Sequence, residues 1–367
     1  MAIRVLFIAL LLFLSACNSS DDSPNGATEA STWVPAFTSE WAIASPEAAG
    51  FDRAAFESAY QQAGRTFGLT SMCVIRNNAL IGESYYSDNE RASLHHVRSV
   101  TKTVMAILIG IAIDRGILDD VDQPIGPFFA ATVPDLAPEK AAITIRHLLT
   151  MTSGFSWDES SASGYNNWAN SSNPIRYVLD RPLSHEPGST FNYNSGAVHL
   201  LSVILTEATG QSTRSFAESN LFEPLGFRPV RWETLADGHH NGGAGLELRT
   251  LDMAKIGRLL MQSGTWGEIE IVPESWVRQM KTKTRDSHGS YGAFKDIDYG
   301  FLWWLGTGSG DDLQLAWGWG GQFIATFPDQ DLIVVTTAKW NVGGDTAGSQ
   351  EQANINLIID YVRQALH

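Results

Sequence analysis

The stretch that decides the reading is Val97-Arg-Ser-Val-Thr-Lys-Thr-Val-Met-Ala-Ile-Leu-Ile-Gly-Ile-Ala-Ile-Asp-Arg-Gly116. It reads as a helix that Gly116 stops. From Val104 to Ile113 every face is apolar, so this helix is expected to be buried all round rather than amphipathic. Ser99 and Lys102 stand three apart at its front end, which stacks a hydroxyl and an amine on one face. An ammonium at the foot of a buried helix is costly unless it has a partner or a task. The chain has seven lysines, and only Lys102 follows a Ser by three positions.

The chemistry of that pair is nucleophilic. A Ser hydroxyl needs a base. A lysine desolvated against an apolar helix has a lowered pKa and can serve as one. The helix N-terminus adds N–H groups and positive dipole, both favourable to a developing oxyanion.

Outward from this helix, Phe51 to Thr66 reads as an amphipathic helix begun by Asp52. Ser71 to Arg76 and Ala79 to Tyr86 read as two strands turned at Asn77-Asn78, because Asn tolerates positive φ. Cys73, inside the first strand, reads as a small core residue. Ile143 to Gly154 reads as a short helix and Gly196 to Thr209 as a second apolar one. Between them Phe155 to Asn173 reads as a long loop whose Trp157, Tyr165 and Trp168 are candidate pocket or packing residues. Thr250 to Gly264 and Pro273 to Lys281 read as helices. Strands are expected over Tyr299 to Leu305, Leu313 to Trp317, Gln322 to Phe327 and Leu332 to Thr337, and a final amphipathic helix over 352–366. This order places strands from both chain ends in one antiparallel sheet flanked by helices, an α/β arrangement, with a helical insert between. The division expected is 41–125 with 245–367 for the α/β part and 126–244 for an all-α domain.

The first residues read as targeting. Met1 to Ala16 carries Arg4, an apolar run from Val5 to Leu14 and then small residues, the pattern of a signal peptide over 1–16. Leu14-Ser15-Ala16-Cys17 resembles a bacterial lipobox, which implies lipidation of Cys17. The polar segment that follows suits a tether over 17–40. The expectation is an exported, periplasmic protein held to the outer membrane through that lipid, its only membrane contact. A net charge of −15 argues against nucleic acid as a partner. His95-His96 and His239-His240 lack any further ligand pattern and read as loop or surface histidines, His185-Glu186 lacks a second His, and no Gly-x-Ser-x-Gly elbow is present. No metal and no organic cofactor is implied.

With these motifs in hand, the chain resembles the serine β-lactamase and penicillin-binding-protein superfamily on its class C side. Within it, the similarity is to family VIII carboxylesterases and 6-aminohexanoate-dimer hydrolases. The matching elements are Arg98 to Lys102 for Ser-x-x-Lys, Ile143 to Gly154, Tyr193-Asn194-Ser195, Leu221 to Gly226, and Trp319-Gly320-Gly321 in the place of Lys-Thr-Gly. The resemblance implies the β-lactamase/transpeptidase-like fold with its site between the α/β part and the helical insert. It implies Ser99 as the acylated nucleophile, with Lys102 and Tyr193 moving its proton. It implies an oxyanion hole from the N–H groups of Ser99 and Gln322, and a positioning role for Ser195. Trp319 and Gly320 stand where the relatives hold a substrate carboxylate with a cation and a hydroxyl. That departure favours neutral esters or amides over β-lactams, and Trp319 then offers an apolar wall. The function expected is hydrolysis of a small-molecule ester or amide through an acyl-enzyme. The alternatives are a β-lactamase or DD-peptidase, and a non-catalytic binding protein on the same fold.

Overall fold

The Asn77-Asn78 turn forms as its sequence requires. Both residues have positive φ, 49° and 61°, the conformation a two-residue hairpin needs to match the twist of its strands. In the computed structural model, which describes residues 40–160, 162–227, 229–284 and 288–367, this hairpin belongs to an eight-stranded sheet. Its strands are β1 (Ala42–Ile43), β2 (Leu69–Arg76), β3 (Ala79–Tyr85), β4 (Phe294–Tyr299), β5 (Trp304–Gly308), β6 (Asp311–Gly318), β7 (Gln322–Phe327) and β8 (Leu332–Ala338). The spatial order is β1-β3-β2-β8-β7-β6-β5-β4. Only the short β1 runs parallel to its neighbour; every other pairing is antiparallel. The two ends of the chain meet at β2 and β8, where Cys73 faces Val335 and Ile75 faces Ile333.

The period of two in these strands feeds two cores. Met72, Val74, Phe323, Ala325 and Val334 pack on one face with Phe56, Tyr60 and Ile358. Cys73, Ile75, Ile324, Ile333 and Val335 pack on the other with Val104, Leu251 and Ile256. The first face is covered by α1 (Arg53–Arg65) and by the C-terminal segment, and the second by α2 (Val100–Asp114) and by a helix over Thr250–Met261. α1 starts at Asp52, whose carboxylate accepts the Ala55 N–H at 2.7 Å.

α2 is buried at every position from Val100 to Ala112, as its unbroken apolar run requires. Each such Val, Ile, Leu or Met side chain contributes about 1.5–3 kcal/mol on leaving water. One flank of α2 meets the sheet; the other meets a second apolar helix, Ser195–Thr209. A single hydrophobic cluster therefore runs from Val335 of the sheet through Ile107 to Leu200.

Several expectations are corrected. Phe155 to Asn173 is not structureless: Ala162–Ala169 is helical. Its Tyr165 and Trp168, three apart, share a face, and the fully buried Trp168 indole donates to Pro174 C=O at 3.2 Å. The Ser, Asn and Gly content of the segment hides that pattern. The single strand expected over Tyr299 to Leu305 is instead the end of β4 and the start of β5. Gly300 N–H bonds to Trp303 C=O at 2.8 Å, and Leu302 takes a φ of 51°, so the chain turns there. The last helix begins at Gly344 rather than 352 and widens to a π-helical turn over Leu357–Val362. His95-His96 is a short strand paired with Leu246–Leu248, and burial pushes both rings down to about 4. Cys73 is fully buried and unpaired. The targeting segment and Cys17 lie outside the described residues. Among the described residues no helix is long and apolar enough to cross a membrane.

Gly110 shows how tightly α2 is held. A Cβ there would lie 2.3 Å from the Trp276 indole, which donates to Ala106 C=O at 3.0 Å. Gly110→Ala should therefore lower stability by about 1–3 kcal/mol, outweighing its gain of about 1 kcal/mol in helix propensity. Urea unfolding measures this, and an unchanged or raised midpoint would contradict the packing described.

Candidate active site

Ser99 sits at a strained corner. Its predecessor Arg98 has a φ of 52°, a conformation that a non-glycine residue holds only when its surroundings impose it. Those surroundings are explicit. Val97 N–H bonds to Leu246 C=O at 2.9 Å, Arg98 N–H to His96 Nδ1 at 3.2 Å, and Thr101 Oγ1 donates to Arg98 C=O at 2.7 Å. Ser99 is the N-cap of α2, yet its side chain caps nothing. The hydroxyl is left for other work.

Lys102, 2% exposed, lies one turn further along. Its Nζ is 2.9 Å from Ser99 Oγ, 2.8 Å from Ser195 Oγ and 2.6 Å from Gly243 C=O. Gly243 has to be glycine for this approach, since a Cβ would stand 2.6 Å from Ser195 C=O. Burial lowers the Lys102 amine from 10.5 to about 7, against the opposing charge of Glu159 and with help from Arg98. The amine can thus be neutral near neutral pH and accept a proton.

Tyr193 reaches the same point from the loop ahead of the Ser195 helix. Asn194 caps that helix, accepting the Ala197 N–H at 2.8 Å, and Asn192 N–H bonds to Met151 C=O at 2.8 Å. The Tyr193 ring stacks on Trp304, with Lys102 Nζ 4.9 Å from its centroid. Burial pushes its phenol well above the usual 10, Glu159 adds to that, and a hydrogen bond with Ser99 opposes it. Tyr193 is therefore a neutral hydroxyl at physiological pH, able to donate or relay a proton, while the Lys102 amine is able to accept one.

The hairpin from β6 to β7 forms the facing wall. Gly318 backs on the main chain just before Ser99, since a Cβ on it would stand 2.4 Å from Val97 C=O. Trp319, Gly320 and Gly321 make the turn, closed by Gly321 N–H on Gly318 C=O at 3.1 Å. Gly320 N–H and the Trp317 indole donate to the two oxygens of Glu351 at 2.7 and 3.0 Å, and burial raises that carboxyl to about 6. Gln322 lies apart from the cavity lining. It is fully buried at the start of β7, and its carboxamide donates to Ala338 C=O at 2.8 Å. Of the hairpin residues singled out in the sequence, Trp319 reaches the cavity, while Gly320 and Gly321 shape the turn behind it.

The cavity has a volume of about 330 Å³. Ser99 and Tyr193 open into it, and Trp304, Trp317, Trp319 and Trp340 supply apolar walls. Three charged groups to which the sequence analysis gave no role also line it: Arg98, Glu159 and Glu351. The Arg98 guanidinium lies 4.9 Å over Tyr165 and 5.4 Å over Trp340, and it forms no ion pair among the described residues. Its position beside Ser99 was the one available signal. Glu159 had none, because the loop that brings it to Ser195 is remote in sequence. Among the described residues no group of three His, Cys, Asp or Glu side chains is placed to hold a metal ion.

The Beta-lactamase family matches residues 54–356 of the chain. Esterase EstB of Burkholderia gladioli is 30% identical over 168 residues, 41% of this chain and 42% of that protein, so the match spans less than half the length of the esterase. The 6-aminohexanoate-dimer hydrolase of Paenarthrobacter ureafaciens is 22% identical over 288 residues, 73% of this chain and 71% of that protein. Among solved structures, EstCE1, a hydrolase with promiscuous acyltransferase activity, superposes with a TM-score of 0.65 at 19% identity over 84% of this chain and 97% of that one. At that identity the likeness shows the fold.

The lowered Lys102 pKa has a consequence for stability. Between about 7 and 10.5 the unfolded chain carries a proton on this lysine that the folded chain lacks. Stability from this group therefore rises with pH through that window. Relative to Lys102→Met, the wild type should gain roughly 2 kcal/mol between about pH 7.5 and 9.5, at ~1.4 kcal/mol per unit. Chemical denaturation at the two pH values tests this, and parallel behaviour of the two proteins would contradict it.

Proposed function

The chain belongs to the Beta-lactamase family, and from that premise we propose that it is a serine hydrolase that cleaves small esters or amides through an acyl-enzyme on Ser99. The observation that carries this reading is the 2.9 Å contact between Ser99 Oγ and a lysine amine lowered to about 7. Lys102 takes the Ser99 proton as Oγ attacks the substrate carbonyl carbon. The negative charge that develops on the carbonyl oxygen meets the N-terminal N–H groups of α2. Its second donor in this reading is the Gln322 N–H, just past the Trp319 turn at the start of β7. Tyr193 gives its proton to the leaving oxygen or nitrogen and regains one from the Lys102 ammonium. Water then enters by the same route and releases the acid. An esterase and an amide-dimer hydrolase among the relatives support an ester or amide as substrate.

One observation favours a second reading within the class, a substrate that bears a carboxylate, as β-lactams and cell-wall peptides do. Arg98 supplies a cation beside Ser99 that forms no ion pair among the described residues, where the sequence had suggested that charge-assisted recognition was weakened.

Two experiments test these readings. A fluorophosphonate should label Ser99 alone, and Ser99→Ala should lose at least ~10³-fold in ester hydrolysis; a labelled or fully active Ser99→Ala protein would overturn the assignment. Matched esters with and without a terminal carboxylate separate the two substrate classes. If Arg98 holds the carboxylate, Arg98→Gln raises KM for the charged ester by about 10- to 100-fold and leaves the neutral one unchanged, as expected for a charge-assisted bond of about 1.5–3 kcal/mol. An equal effect on both esters would leave the neutral reading standing.

A further inference from the structure

Glu159 is not used by the mechanism above, yet it is bound into the site by three donors. Its Oε2 accepts the Ser195 N–H at 2.8 Å and the Trp157 indole N–H at 2.8 Å, and its Oε1 accepts the Ser195 hydroxyl at 2.5 Å. The last of these contacts has a directional consequence. A serine hydroxyl has one hydrogen. Spent on Glu159, it leaves Ser195 Oγ able only to accept from Lys102 Nζ, 2.8 Å away. The third neighbour of that amine, Gly243 C=O at 2.6 Å, also only accepts.

A neutral amine has two N–H donors and one lone pair. With both donors committed to Ser195 and Gly243, the lone pair is left for the remaining neighbour, Ser99 Oγ at 2.9 Å. We infer that Glu159 is a positioning residue: by holding the Ser195 proton it aims the lone pair of Lys102 at the Ser99 hydroxyl. Without the carboxylate, Ser195 is free to turn its own proton onto that lone pair and compete with Ser99. The step served is the transfer of the Ser99 proton to Lys102 Nζ, which becomes an ammonium as Oγ bonds to the carbonyl carbon. The inference rests on the hydrolase reading above.

Glu159 also acts on Lys102 through space, favouring its charged form, whereas Arg98 disfavours it. Tyr193, the other titratable group over the amine, stays neutral. Removal of the Glu159 charge therefore has two separable effects. The acid limb of the pH–rate profile moves to lower pH, because the amine loses its proton more readily. The plateau nevertheless falls, because the lone pair is no longer aimed.

The experiment is a double-mutant cycle on ester hydrolysis with Glu159→Gln and Ser195→Ala. Glu159→Gln is expected to lower the kcat plateau by about 10²-fold, the scale of a misaligned reacting group, with the acid limb shifted down and KM little changed. In the Ser195→Ala background the same change should cost almost nothing more, since the proton that Glu159 holds is absent. A plateau within twofold of wild type for Glu159→Gln, or losses that multiply in the double variant, would overturn the inference. If Glu159→Gln does not fold, Ser195→Ala carries the test alone, and its retention of full kcat would overturn it equally. Activity surviving in Ser99→Ala would instead remove the hydrolase reading itself, so the two failures are distinguishable.

Discussion

An amine that is 2% exposed, at the foot of an apolar helix, has to be satisfied or discharged. In this chain it is both. Three oxygen atoms surround Lys102 Nζ, and burial lowers the amine to about 7. Each of those oxygens comes from a different part of the chain: Ser99 from the turn before, Ser195 from the second apolar helix, Gly243 from the segment that returns to the sheet. Satisfying one nitrogen thus fixes the relative placement of three segments separated by as many as 141 positions.

The core follows from the same helix. Because α2 is apolar on every face, it cannot lie on a surface, and sheet and helices have to enclose it. Its N-terminus then opens where these layers part, and that is where the cavity lies. The walls are largely indole, and the polar groups among them are few and tied down. Glu351 is held by Trp317 and Gly320, and Glu159 by Ser195 and Trp157. The Arg98 guanidinium lies over the Tyr165 and Trp340 rings and forms no ion pair among the described residues. The cavity thus presents apolar walls and one cationic side chain.

Much of this was legible in the sequence. The all-round apolar run from Val104 and the three-residue spacing of Ser99 and Lys102 depend only on local periodicity, and so does the Asn77-Asn78 hairpin. Tyr193 and Ser195 could be named through family resemblance, and the structure brings both to Lys102. What could not be read is what tertiary contact decides. The helix at Ala162–Ala169 is polar in composition and is organised around one buried indole, Trp168. Glu159 meets Ser195 across 36 positions of chain, and no short-range pattern could connect them.

The central claim is that Lys102 is a base because the fold holds it neutral. The direct measurement is the titration of its Nζ by NMR in protein labelled at lysine, with the Lys102 resonance assigned by its loss in Lys102→Met. The account predicts a midpoint near 7 for this lysine. A midpoint at the ordinary lysine value of about 10.4 would contradict it, since Lys102 would then be an ammonium throughout the working range and could not take the Ser99 proton.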